Sequence, residues 1–287
     1  MLKNTFCHIP GVTARSEQRL WATGIHDWES STRAAKLRVP RKAKDYFARC
    51  IEESFEHLEA NNPNYFAAAL DSKHHWRMFT DFRRSIAYLD IETTGLGYND
   101  SITTIAVYDG KNIFHYVKGQ NLDDFKSDIN RYSLIVTYNG KCFDVPFIER
   151  YFRIKLNHAH IDLRYVLKSL GYTGGLKGCE QQLGIDRGGL AGVDGFFAVL
   201  LWQDYVRHKN EKALQTLLAY NVQDVVNLET LLVIAYNLKL NETPFGEKLR
   251  LSPPQQPRLP FQADAATIDK IKRANSWLMP SFRSRRW

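Results

Sequence analysis

Apolar positions along the chain change rhythm part-way through. Within residues 41–80, Tyr46, Phe47, Cys50, Ile51, Phe55 and Leu58 recur at three- and four-residue steps with charges between them. That spacing predicts one buried helix face. Asn61-Asn62-Pro63-Asn64 stops the helix, residues 66–70 predict a second short one, and Lys73-His74-His75-Trp76-Arg77 leads toward a strand. From Ser85 the rhythm becomes that of strands. Residues 86–91 are an apolar run, as a buried central strand requires. Residues 102–108 and 112–117, joined at Asp109-Gly110, predict a hairpin. Residues 122–129 predict a helix, 134–137 a strand, and 144–153 another helix. Helical stretches follow at 162–170, 176–183, 196–208 and 211–237. Three strands in meander order, then helix, strand and helix, give an α/β class with a mixed sheet flanked by helices.

Carboxylates punctuate this pattern at the ends of its elements. Asp90 and Glu92 close the first strand in Leu89-Asp90-Ile91-Glu92-Thr93-Thr94-Gly95-Leu96. Side chains alternate along a strand, so Asp-x-Glu sets both acids on one face. Asp144 ends Tyr138-Asn139-Gly140-Lys141-Cys142-Phe143-Asp144, and Asp224 lies in Tyr220-Asn221-Val222-Gln223-Asp224. Acids converging on one point repel unless a cation neutralises them. Hard oxygen donors select Mg²⁺ or Mn²⁺, and two such ions together suit phosphodiester cleavage. His74 and His75 are adjacent and point apart, which speaks against a shared metal.

These segments resemble the DEDD (DnaQ-like) 3′→5′ exonuclease superfamily, tyrosine-type branch, over roughly residues 85–237, and most of all the YprB-like ribonuclease-H-like proteins of bacteria. Asp90 to Leu96 is similar to the first motif, Asn139 to Asp144 to the second, and Tyr220-x-x-x-Asp224 to the third. The resemblance implies a ribonuclease-H-like fold and two ions, Mg²⁺ or Mn²⁺, held by Asp90, Glu92, Asp144 and Asp224. It makes Asp90 the acid that touches both ions. Tyr220, one helical turn before Asp224, would orient the attacking water. Thr93, Thr94, Leu96 and Asn139 would contact the terminal nucleotide, with Leu96 as an apolar wedge. Lys177 reads as a solvated lysine or a phosphate contact.

Net charge sharpens the partner. The 287 residues carry +8 although the proposed site concentrates acid, so a basic surface surrounds an acidic cleft, which suits a polyanion such as single-stranded DNA or RNA. Cys7, Cys50, Cys142 and Cys179 lack metal-ligand spacing and read as buried small hydrophobes in a reducing compartment. No apolar stretch of membrane-spanning length stands out, and the expected location is cytoplasmic. Residues 1–40 resemble a helix-hairpin-helix element around Ile9-Pro10-Gly11-Val12, with Thr13 where a second glycine is usual; residues 41–84 form a helical lead-in and 85–238 the exonuclease domain. Residues 239–287 form a Pro-rich basic tail, extended over 251–260, helical over 264–278, and ending Phe282-Arg283-Ser284-Arg285-Arg286-Trp287. Glycines between 171 and 192 suggest loops beside the cleft. The function expected is 3′→5′ exonucleolytic hydrolysis. A structure-selective endonuclease on the same fold, or a non-catalytic nucleic-acid-binding adaptor, are the alternatives.

Overall fold

The computed structural model describes residues 1–32, 41–190 and 192–275. Helices α1 (Ala14–Ala22), α2 (Trp28–Thr32), α3 (Arg41–Glu59), α4 (Pro63–Ala69) and α5 (Phe79–Phe82) precede the sheet. Then come β1 (Ile86–Thr93), β2 (Ile102–Tyr108), β3 (Ile113–Val117), α6 (Phe125–Asp128), β4 (Leu134–Thr137), α7 (Asp144–Phe152), β5 (Ala159–Asp162) and α8 (Leu163–Lys168). The helices α9 (Gly175–Gln182), α10 (Gly195–His208), α11 (Glu211–Leu240) and α12 (Ala265–Ala274) complete the described chain.

The sheet runs β3-β2-β1-β4-β5. β1 pairs antiparallel with β2 and parallel with β4, so the mixed sheet expected from the strand order is present, with β1 at its centre. Alternation divides its two faces. Ile86, Tyr88, Ala106 and Tyr108 belong to one core with Val222, Val225 and Leu228 of α11. Ala87, Leu89, Ile91, Ile105 and Val107 belong to the other, with Phe147 and Ile148 of α7. Asp90 and Glu92 continue the even-numbered series and therefore face α11.

Several expectations are revised. Residues 159–162 form an edge strand, β5, where the reading began a helix at 162; four residues are too few for periodicity to separate strand from helix. Residues 122–131 alternate between 3-10 and α turns rather than forming one helix. α11 is long and apolar enough to cross a bilayer, unlike any stretch the reading anticipated, but most of it is buried as the core helix of this domain. Cys142 is exposed, and Cys7 is only partly buried. The aromatic-arginine terminus and the last residues of the expected 264–278 helix lie outside the described residues.

The N-terminal segment joins the same core as the sheet. Met1, Leu2, Phe6, Trp21 and Trp28 cluster with Phe66, Phe79, Phe82 and Tyr236. Pro10-Gly11 forms a turn with Gly11 at φ 87°, and Thr13 caps α1 by accepting from the Ser16 N–H at 3.2 Å.

Candidate active site

The end of β1 is built to leave an opening. β4 pairs with β1 only as far as Tyr88–Val136, so the Asp90–Glu92 edge on that side lacks a partner strand. The Ile91 N–H there donates instead to Asp144 Oδ1 at 3.2 Å. A buried amide needs an acceptor, and Asp144 supplies it from the first residue of α7. The loop that delivers Asp144 is tightly specified. Thr137 Oγ1 accepts from the Gly140 N–H at 3.0 Å, and a Cβ on Gly140 would lie 2.3 Å from that oxygen. Asp162 accepts from the Asn139, Lys141 and Arg164 amides at 2.8, 3.0 and 3.0 Å. Asn139 itself is left-handed, at φ 67°, and its side chain receives an Arg164 N–H. The Asn139-Gly140 pair of the second motif thus builds the turn that aims Asp144.

Across the opening, α11 brings Tyr220, Asp224 and Asn227 to one face at i, i+4 and i+7. Asp90, Glu92 and Asp224 each place a carboxylate oxygen within 4.8 Å of the others. Glu92 and Asp224 are buried, while Asp90 keeps partial exposure. Burial, followed by the charge of Asp224, holds the Glu92 carboxyl well above its usual range; Asp90 is raised the same way, with Asp144 adding to the effect. Burial pushes Asp144 up to about 7. Oxygen donors that hold protons this tightly, on a shared focus, form the kind of cluster a divalent cation would relieve. The donor set therefore fits a hard divalent ion held by Asp90, Glu92 and Asp224, with Asp144 alongside.

Sequence reasoning missed Asn221, Asn227, Arg187 and Glu180. Asn221, fully buried, donates to Asp90 Oδ2 at 2.7 Å and accepts from Thr104 Oγ1 at 3.0 Å. Arg187 donates one nitrogen to both oxygens of Glu180, at 2.9 and 2.7 Å, and the other to Asp224 Oδ1. Those two carboxylates outweigh burial and raise the guanidinium's pKa further. Glu180 also accepts from Asn227 at 2.7 Å. The signal for these partners was present as polar residues, Asn221 and Asn227, interrupting an otherwise apolar helix. Arg187, in a glycine-rich loop, carried none. Lys177 is neither solvated nor free: it donates to Tyr220 Oη at 2.6 Å and to the Val193 carbonyl. Tyr220 is buried, and burial, then Asp224, keeps its phenol protonated well above the ordinary range.

The substrate-contact candidates separate. Thr93 is buried and its hydroxyl donates to the Gly95 carbonyl at 2.7 Å. Thr94 donates to Asp100 Oδ1 at 2.7 Å. Leu96 stands exposed at 58% beside them.

Comparison with known families agrees with this geometry. The RNase_H superfamily model matches residues 87–236, just over half of the chain, from β1 through most of α11. The chain belongs to the RNase_H superfamily. That membership points to a nuclease or another nucleic-acid-related activity, and nucleases of this fold generally use divalent metals. No curated protein and no solved structure matches the chain.

Proposed function

We propose that this RNase_H superfamily member is a metal-dependent 3′→5′ exonuclease acting on single-stranded ends of DNA or RNA. The observation that carries the reading is the convergence of Asp90, Glu92 and Asp224 at the open end of β1, with Tyr220 one turn before Asp224. Asp90, Glu92 and Asp224 would hold one Mg²⁺ or Mn²⁺ and Asp144, with Asp90, a second. Such ions supply a water of lowered pKa and neutralise charge on the leaving oxygen. The protein's part is orientation. Asn221 fixes the Asp90 carboxylate, and Asp144 is fixed by the Ile91 amide. Tyr220, protonated and aligned by Lys177, presents an oxygen that positions water rather than removing its proton. Leu96 separates a terminal base from its neighbour, at a cost of about a few kcal/mol that a single strand meets more easily than a duplex.

The test is incubation of the purified protein with end-labelled single and double strands of DNA and RNA, in Mn²⁺ or EDTA. Mononucleotides released from an open 3′ end, and none from a 3′-blocked strand, are expected. Undiminished cleavage in EDTA overturns metal dependence. Cutting of closed circular strands as fast as linear ones replaces the exonuclease by an endonuclease.

A further inference from the structure

Large apolar side chains that stand exposed among the described residues are Tyr46, Leu96, Tyr98 and Val206. Leu96 and Tyr98 share one loop, the one leaving β1 directly after Glu92 and Thr93. Tyr98 is 80% exposed. An isolated exposed aromatic needs no explanation, but this one is held out by a built loop. Asp100 accepts from the Thr94 hydroxyl at 2.7 Å and from the Gly97 amide at 2.7 Å, and Thr94 Oγ1 accepts from the Ser101 amide at 3.0 Å. A Cβ on Gly95 would meet Asp100 Oδ2 at 2.6 Å, so the loop closes around Asp100 only with glycine there. The hydrogen bonds fix the backbone and leave the apolar tips to solvent.

A cation completes the arrangement. Arg150 lies on α7, whose first residue is Asp144, and its guanidinium stands 4.4 Å from the buried Phe147 ring centroid and 5.2 Å from that of Tyr98. Among the described residues no carboxylate lies within ion-pair distance of Arg150 or Arg153; both line a shallow surface hollow with Pro146, Lys155 and Glu149, and Glu149 pairs with Lys155 at 2.8 Å. Six residues along a helix from Asp144 amount to ~9 Å. That is about two to three stacked nucleotide steps of ~3.4 Å.

We infer that Tyr98 and Arg150 form a docking step for single-stranded nucleic acid, upstream of the reacting end: a base stacks on the open face of Tyr98 and the adjoining phosphate meets Arg150. Charge complementarity selects this occupant, since the patch joins an aromatic face to two arginines without a carboxylate partner, Arg150 and Arg153, in a chain of net charge +8. The inference rests on the nucleic-acid reading of the neighbouring site and adds a contact that the acidic cluster does not supply.

The experiment is fluorescence anisotropy of a labelled deoxyribo- and a labelled ribo-oligonucleotide of one sequence, in EDTA, with the full chain. Tyr98→Ala is expected to weaken binding roughly fivefold to a hundredfold, the worth of one base–aromatic stack. Tyr98→Phe and Tyr98→Trp should stay within about twofold of the unsubstituted protein, because the ring face is what binds. Arg150→Gln should lower the slope of log affinity against log salt by about one. Thermal melting of each variant checks that the exposed position leaves the fold intact. Unchanged affinity in Tyr98→Ala, or Tyr98→Phe as weak as Tyr98→Ala, overturns the inference, as does equal affinity for single strand and duplex. A protein that binds through Tyr98 yet hydrolyses nothing in Mn²⁺ loses the exonuclease reading alone; one that hydrolyses strands with Tyr98→Ala at full affinity loses the docking step alone.

Discussion

Two buried guanidiniums do different work in this chain. Arg77 forms a bidentate pair with Glu17, both contacts at 2.8 Å, with Arg77 4% and Glu17 1% exposed. Glu17 Oε1 takes two further amides, from Phe6 at 2.6 Å and Cys7 at 3.1 Å, and Arg77 also reaches Thr5. One charge meets one charge, and the two amides add to the charge-assisted contacts on Glu17 Oε1. Arg187 is placed otherwise. It is shared by Glu180 and Asp224, with Asp90, Glu92 and Asp144 close by and Lys177 as a second cation. A balanced buried pair holds structure together; an unbalanced one leaves negative charge that something from solution must meet. The excess, rather than burial itself, distinguishes a site from a staple.

The largest effects should separate the two regions by readout. Asp90→Asn is expected to bring hydrolysis to the assay floor while leaving the melting temperature of the metal-free protein unchanged or higher, since it removes a repelling charge. A normal rate at saturating Mn²⁺ would misplace the site. Glu17→Gln should do the reverse: it strands Arg77, at a cost of about 3–5 kcal/mol, and denaturant titration should show that loss with or without Mn²⁺. Any Mn²⁺ dependence of the Glu17→Gln penalty would collapse the distinction.

Titration offers the next test. Asp144 is pushed up to about 7 by burial, and Asp90 and Glu92 are raised well above their usual range. Unfolded carboxyls titrate near ~4. Between about pH 4 and 7 these three carboxyls therefore hold more protons in the folded, metal-free protein than in the unfolded chain. Their own contribution to stability should fall as pH rises, by up to ~1.4 kcal/mol per pH unit for each group, against the opposite contribution of buried histidines such as His8 and His160, whose pKa values burial lowers. Mn²⁺ displaces those protons, so the stabilisation it gives should grow with pH. Melting curves of the unsubstituted protein and of Asp90→Asn, in EDTA and in Mn²⁺ from pH 5 to 8, isolate the cluster from the histidines, and a Mn²⁺ stabilisation that does not grow with pH contradicts the charge excess. A smaller effect is expected of Tyr220→Phe: a rate lowered roughly tenfold to a thousandfold with Mn²⁺ affinity retained. Equal rates would reduce Tyr220 to packing against Lys177 and Arg187.

What the sequence disclosed about these regions follows from how each is encoded. Asp90 and Glu92 were legible because strand alternation is local, and the facing helix was legible because Tyr220 and Asp224 are one turn apart. The meander of the first three strands followed from the hairpin signal, whereas the pairing of β4 with β1 is long-range and β5 is too short to carry a period. Arg187, Glu180 and Lys177 were not legible as partners. Their roles depend on how α9 and the loop after it fold back over α11, a long-range event that no local pattern records. Asn139 shows the converse limit: the motif singles out its residue type, but its left-handed backbone and its bond with Arg164 belong to the turn.

The smallest predicted effect probes the unbalanced pair directly. Arg187 donates to an oxygen of Asp224, the same carboxylate that lies within reach of Asp90 and Glu92. A divalent ion at that focus and the guanidinium draw on the same negative charge and repel one another. Coupling of this kind is reciprocal: whatever the guanidinium costs the ion, the ion costs the guanidinium. Arg187→Gln should therefore bind Mn²⁺ more tightly, by severalfold to about tenfold, ~1 kcal/mol, while the metal-free protein becomes less stable because Glu180 and Asp224 lose their counterion. Isothermal titration with Mn²⁺ measures the first and melting in EDTA the second. Arg187→Lys, which keeps the charge but not the fork, should fall between. The same substitution at Arg77 should change stability and leave Mn²⁺ affinity untouched. If Arg187→Gln instead weakened Mn²⁺ binding, the guanidinium would be orienting Asp224 for the ion rather than standing in for it, and the two buried arginines would both be staples.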